Sequence, residues 1–264
     1  MRLTISGLLM ASFMAGFALR IQAADKADPQ SIIQKAIQAM GGEEKLAKYR
    51  SSISKGKCKF YGMGQVIDCS AEWSVQLPRE LKAAYLMQMG GKKVSRIEVI
   101  QPDSGWTAMN GKIRDLSADQ LAEIWEGMEA MKISSLLPLK DPAYRLTSVG
   151  ESVVANRPAV GLKVEHQGHR DVALYFDKEQ GYLVKLQIRV KAMGKEVDEE
   201  MIYGDYRDFD GIRSHTKLTT KRDGQPFLES EITEFKAVES VPKSTFAKPQ
   251  AGEPKSGPAT SVSR

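Results

Sequence analysis

The stretch YFDKEQGYLVKLQIRV, from Tyr175 to Val190, decides how the rest of the chain is interpreted. Every second residue from Tyr182 to Val190 is apolar, and the residues between them are polar except Leu183. A strand with this pattern covers apolar material with one face and meets water with the other. The stretch therefore predicts a half-buried strand, and it raises the question of whether its apolar face covers a packed core or a ligand.

Turn signals show that this strand is one of many. From Ala143 onward, glycine-containing and Asn/Asp-rich turns recur about every dozen residues, ending with Asp223-Gly224. Upstream, Asn110-Gly111 is a strong signal for a tight hairpin. This rhythm is typical of an antiparallel sheet built from consecutive hairpins. A sheet with so many strands must curl.

Two helices accompany the strands: one precedes them, and one interrupts them. The first follows Asp28, a good N-cap, and ends before Gly41. The second is predicted over 118–132, after a capping box formed by Ser117 and Gln120. Neither helix connects parallel strands, so both suit a lid or plug on the concave side of the sheet. The sequence therefore predicts a mainly β fold (α+β), in which a long antiparallel sheet curls and the two helices form a lid or plug on its concave side.

The two ends of the chain differ from its body. An apolar run from Leu3 to Leu19 follows Arg2, which is the layout of a secretory signal peptide over residues 1–24. The alternative is a retained N-terminal anchor. Residues 25–249 are predicted to form a single exported domain. The tail, residues 250–264, has no apolar periodicity and is predicted to be disordered.

Charge and cysteine usage fit an exported protein. Loss of Arg2 and Arg20 with the signal peptide lowers the formal net charge from +5 to +3. A mildly basic surface of mixed charge argues against a nucleic-acid groove and is compatible with transient membrane contact. Cys58 and Cys69 flank a predicted hairpin turn, and in an exported chain they favour a disulfide. The alternative is a pair of free thiols in the core.

No set of residues in the sequence indicates covalent chemistry. His166 and His169 form the only histidine pair, and we interpret them as solvated residues of a hairpin turn, because no further ligand is obvious nearby in sequence. His215 stands on a predicted strand, and the chain contains no nucleophile-elbow motif. The sequence therefore predicts no metal, no cofactor and no enzyme activity.

Four segments together carry a family resemblance: AMGGEEKLAKYRSS, LYFDKEQGYLVK, YGDYRDFDGIRSHTKL and STFAKP. In order and spacing they resemble the periplasmic lipoprotein-sorting superfamily (LolA/LolB-like), whose best-known members are the Lol-system carrier and its outer-membrane receptor. The resemblance implies a periplasmic protein in which residues 25–249 form a strongly curved, incomplete (half) barrel with a helical lid over a hydrophobic cavity. It also implies that the protein binds acyl chains of lipids or lipoproteins without covalent chemistry.

Aromatic and methionine residues on the relevant segments are candidates for the lining of such a cavity. Methionine is flexible and suits a surface that repacks around varied apolar ligands. The alternative for these residues is ordinary core packing. The function predicted is an exported carrier for an acyl chain or other hydrophobic ligand; the alternative is an envelope regulatory module that binds a protein partner. The candidate lining residues are Trp73, Tyr85, Met87, Met89, Trp106, Leu121, Ile124, Trp125 and Met128.

Overall fold

A computed structural model describes residues 28–248 of the chain, except residues 63 and 193. The predicted signal peptide and C-terminal tail lie outside these residues. The helices are α1 (Pro29–Ala39), α2 (Glu43–Lys48) and α3 (Ala118–Ser134). The strands are β1 (Ser51–Phe60), β2 (Ile67–Gln76), β3 (Glu80–Met89), β4 (Lys92–Gln101), β5 (Ser104–Met109), β6 (Lys112–Asp115), β7 (Tyr144–Val154), β8 (Arg157–His166), β9 (Val172–Asp177), β10 (Leu183–Ala192), β11 (Lys195–Phe209), β12 (Ile212–Arg222) and β13 (Gln225–Val238).

All the strands belong to one open antiparallel sheet, as the sequence predicts. Their order is β6-β5-β4-β3-β2-β1-β13-β12-β11-β10-β9-β8-β7. Two meanders, β1 to β6 and β7 to β13, meet in the middle where β1 pairs with β13. The last strand of the first meander, β6, and the first strand of the second, β7, therefore form opposite edges. The chain runs from one edge to the other through α3, which lies across one face of the sheet.

The helix boundaries follow from local sequence. The Asp28 carboxylate accepts a hydrogen bond from the Ser31 backbone N at 2.9 Å, and this caps α1. Ser117 and Gln120 form the predicted capping box of α3. The segment over Glu43–Lys48 is a regular helix, so the described residues contain three α-helices where the sequence indicated two. No helix in the described part of the chain is long and apolar enough to cross a membrane.

Strand β10 differs from its predicted alternation. A bulge between Leu183 and Lys185 changes the register with β9. It places Leu183 in the same core as Leu186 and Ile188. Val184 packs instead on the opposite face, against a small cluster with Val154 and Ala159. The extra residue of a bulge reverses which side chains point inward, so simple alternation fails at this point.

The two faces of the sheet are covered differently. On the face that we call the inner face, α1 and the C-terminal half of α3 pack against β7 to β10 and form the main core. On the other side, the outer face, Val241 and Phe246 follow β13 and pack against Val99 and Trp106 of β4 and β5. The apolar face of β10 thus covers a packed core, which answers the question raised by its sequence.

Candidate functional site

Helix α3, which we call the lid helix, spans the inner face. Near its start, Leu121 packs over Gly105 of β5 so closely that a Cβ added at Gly105 would lie 2.9 Å from the Leu121 side chain. One turn later, the Arg79 guanidinium lies 5.5 Å from the centre of the Trp125 ring. Near its end, Ala130 and Ile133 are part of the main core. The lid helix therefore connects the two meanders across their shared face.

On the inner face, β2 and β3 present four of the nine predicted lining residues. The pairings of Cys69 with Met87 and of Trp73 with Ala83 place their side chains, and those of Tyr85 and Met89, on the inner face. The Trp73 indole N donates to the Tyr85 hydroxyl at 3.3 Å. Cys58 and Cys69 are direct cross-strand partners and are joined by a disulfide, as predicted.

The inner face is filled unevenly. Over β8 to β10, apolar side chains such as Leu162, Leu174 and Leu186 are fully buried. Over β2 to β4, many apolar side chains remain half-buried: Trp73, Val75, Leu81, Tyr85, Met87, Met89 and Val94. On the lid helix the same division holds, since Leu121, Ile124 and Trp125 are half-buried whereas Met128 is only 2% exposed. The first meander thus keeps an apolar surface that the core does not fully cover.

Trp106 does not belong to this surface. It is buried on the outer face with Val99, Ala108 and Phe246. Its indole N is buried without a hydrogen-bond partner among the described residues. The expectation that Trp106 lines the inner face is therefore wrong. Strand β5 is covered on both faces, and the residues that cover its outer face come from the far end of the chain.

An ion pair anchors the first half of the lid helix to the second meander. Glu123 on the lid forms a two-pronged salt bridge with Arg170 in the β8–β9 turn, and its Oε2 accepts from Arg170 Nη2 at 2.8 Å. Its Oε1 also accepts from the backbone N of Lys191 at 2.6 Å. The hydrogen bond from Arg170 holds the pKa of the Glu123 carboxyl below its usual value of 4.5, against the opposing effect of burial.

Two further acidic residues follow Glu123 along the same face of the lid. Glu126 Oε1 lies 3.2 Å from Nδ1 of His169, and Glu129 Oε1 lies 2.9 Å from Nδ1 of His166. The interpretation of these histidines as solvated turn residues is wrong, since their side chains are only 22% and 30% exposed. The three glutamates were not predicted as site residues, although their spacing at i, i+3 and i+6 is visible in the sequence and marks one helix face.

Two cavities of the described structure lie away from the predicted lining residues. One, of about 620 Å³, is on the outer face and is lined by residues including Lys163, Tyr175 and Gln187. Another, of about 540 Å³, lies at the start of α1 beside Asp28 and Lys140.

No protein-family model and no curated protein sequence matches the chain. Solved structures do match its fold. A LolA superfamily protein from Nitrosomonas europaea aligns with a TM-score of 0.53 at 10% identity, over 83% of this chain and 97% of that one. The chain therefore has a LolA-like fold.

Two more solved structures align with the chain at similar TM-scores. A DUF1329 family protein from Desulfovibrio piger aligns with a TM-score of 0.55 at 12% identity, over 83% of this chain and 98% of that one. A domain assigned to outer membrane lipoprotein sorting, from Vibrio parahaemolyticus, gives 0.52 at 9% identity, over 82% and 94%. At such low identity the similarity establishes the architecture alone.

Proposed function

We propose that this protein is an exported, periplasmic carrier that holds an acyl chain or a similar hydrophobic ligand between the lid helix and the inner face of β2 to β4. The observation that carries the proposal is the uneven filling of the inner face. Apolar side chains of the first meander, including Trp73, Tyr85 and Met87, remain half-buried beside a lid whose first half is half-buried as well. Covering them with a hydrocarbon chain would be favourable by about 25 cal/mol for each Å² removed from water.

The chemistry of the surface fits a flexible apolar ligand. Met87 and Met89 are unbranched and polarizable, which lets them repack around chains of different shape. The LolA-like fold supports the same proposal, because one structure that shares it is assigned to outer membrane lipoprotein sorting. Entry of a ligand requires the first half of the lid helix to move away from β5 while its second half stays in the core.

A charge placed in this surface tests the proposal. We expect Met87→Lys to remain folded, because the half-buried position admits water, and to bind a fluorescent fatty-acyl probe about 100-fold more weakly than the parent. Met87→Leu, which keeps the apolar surface, should bind like the parent. Val153→Lys adds the same charge at an exposed position and serves as the second control.

Circular dichroism and a thermal melt establish folding, and native mass spectrometry of protein purified from the cell envelope shows whether lipid co-purifies. A parent protein that never takes up the probe, together with an unfolded Met87→Lys variant, would show that the surface is ordinary core. A parent that carries no lipid and instead co-purifies with one stoichiometric protein would support a partner-binding module.

A further inference from the structure

A third metal-ligating side chain lies beside the two histidines. Glu129 comes from the lid helix, His166 from the end of β8 and His169 from the β8–β9 turn. One carboxylate oxygen of Glu129 and one ring nitrogen of each histidine lie within 4.8 Å of one another. Two imidazole nitrogens and one carboxylate oxygen are a common donor set for Zn²⁺ and also suit Co²⁺, Ni²⁺ and Cu²⁺. We propose that Glu129, His166 and His169 bind a divalent transition metal ion, with Zn²⁺ as the reference ion.

The surrounding side chains hold two of these ligands in place. The His166 ring is stacked between Tyr144, with ring centres 4.3 Å apart, and His169, at 4.9 Å and an interplanar angle of 13°. The Tyr144 hydroxyl donates to Glu129 Oε1 at 2.7 Å. The hydrogen bond from Tyr144 therefore fixes the position of the Glu129 carboxylate beside His166.

The third ligand has the support that metal-binding histidines usually have. Glu126 Oε1 lies 3.2 Å from His169 Nδ1, and the other oxygen of the same carboxylate accepts from the Arg170 backbone N at 2.9 Å. A carboxylate that receives the Nδ1 proton leaves the Nε2 lone pair of a histidine free for a metal and fixes the orientation of its ring. Glu126 is thus a positioning residue for His169.

Binding requires the cluster to contract and the His169 ring to turn out of its stacked position on His166, because a metal ion lies in the plane of each imidazole ring that binds it. Zinc–ligand distances of about 2.0–2.2 Å bring tetrahedral ligand atoms to about 3.3 Å from one another, so the most distant atoms must approach by about 1.5 Å. His169 can supply this movement, because it lies in a turn next to Gly168, whose φ is +85°. Three protein ligands leave the fourth position for water.

One charge opposes the bound cation. The Lys132 ammonium lies 3.3 Å from Glu129 Oε2 and competes for the carboxylate. Replacing it by a neutral residue should therefore tighten metal binding. A purely structural role for the cluster predicts no such effect, so this substitution distinguishes a metal site from a hydrogen-bond network.

The test uses the mature protein without a polyhistidine tag, treated with EDTA and then titrated with Zn²⁺ by isothermal calorimetry and with Co²⁺ by visible absorption. We expect one Zn²⁺ per chain, loss of measurable binding in His169→Ala and Glu129→Gln, about tenfold weaker binding in Glu126→Gln, and tighter binding in Lys132→Gln. His215→Asn is the matched control, because His215 is the remaining histidine of the sequence and lies outside the cluster.

Each outcome decides the proposal. Binding at parental affinity in both His169→Ala and Glu129→Gln, or loss of binding in the control alone, overturns it, as does a parent with no stoichiometric Zn²⁺. Glu129→Gln could unfold because it disrupts the buried Tyr144 contact. In that case the other two variants still test the site, because Zn²⁺ binding should be lost in His169→Ala and tighter in Lys132→Gln. The result is independent of the acyl probe, which tests the other half of the inner face.

Discussion

The salt bridge between Glu123 and Arg170 should be a main attachment of the first half of the lid helix, and its strength can be measured. Both side chains are about a quarter exposed, at 25% and 27%. Fully exposed ion pairs contribute at most about 1 kcal/mol, whereas hydrogen bonds to charged groups contribute about 1.5–3 kcal/mol each where they are shielded. For a two-pronged pair at this depth we expect a coupling free energy of about 2 kcal/mol.

A double-mutant cycle isolates this pairwise contribution. The single variants Glu123→Ala and Arg170→Ala should each lose more than the coupling energy, since Glu123 also accepts from the Lys191 backbone N and Arg170 donates to the carbonyl of Arg189 at 3.1 Å. The cycle subtracts these separate losses. Urea unfolding at pH 7 gives the four free energies of unfolding, and hydrogen exchange of the lid amides shows whether the loss is local.

A second ion pair provides the control. Lys140 and Glu43 approach to 2.6 Å, but their side chains are 44% and 51% exposed. The corresponding cycle should give less than about 0.5 kcal/mol. If the Glu123–Arg170 cycle gives an equally small value, or if hydrogen exchange of the lid helix is unchanged in the variants, the lid is held by apolar packing alone and the reasoning is wrong.

The same pair has a defined pH dependence. Arg170 lowers the pKa of Glu123 in the folded protein below its ordinary value of 4.5. A group with a depressed folded pKa stabilises the fold above its unfolded pKa, and that stability is lost as the pH falls through the folded pKa. The coupling should therefore be constant from neutral pH down to about pH 5 and should disappear in more acidic solution.

Two further predictions concern stability. Replacing both Cys58 and Cys69 by Ala should lower the free energy of unfolding by about 3 kcal/mol, because the bond closes a loop between residues 11 apart in sequence; urea unfolding that shows no difference from the oxidised parent would contradict this. Gly127→Ala should raise stability by about 0.5–1 kcal/mol, since Gly127 lies inside α3 and an added Cβ meets nothing within 4 Å. A lower melting temperature for this variant would show that the glycine serves another purpose.

The fold was largely predictable because its signals are local. Turn residues, helix caps and alternating strand patterns each occupy a short segment of sequence. The hairpin at Asn110-Gly111 and the capping box of α3 are found at their predicted positions. The bulge in β10 was not predictable in this way. Leu183 and Val184 are adjacent apolar residues, and an alternating pattern allows either of them to point toward the core. Pairing with β9 decides which one does.

The candidate site was predicted less well because it depends on contacts between distant segments. Trp106 was assigned to the inner face since its strand gives no sign that Phe246 covers the other side. His166 lacked a partner in sequence because Glu129 lies 37 residues earlier, on a helix. Such contacts follow from how the lid helix crosses the sheet, which no local pattern specifies.

That crossing also has a mechanical consequence. Thirteen strands spaced about 4.8 Å apart would hold the edges β6 and β7 about 58 Å apart in a flat sheet, whereas the 17 residues of α3 extend only about 25 Å. Near its start the helix packs on Gly105 of β5, and near its end it belongs to the main core, so its packing holds the two meanders closer together than a flat sheet would. Flattening the sheet would break one of these contacts, and lifting the helix would remove a restraint on the curvature. The curvature of the sheet and the position of the lid are therefore coupled, and a ligand bound beneath α3 should change both.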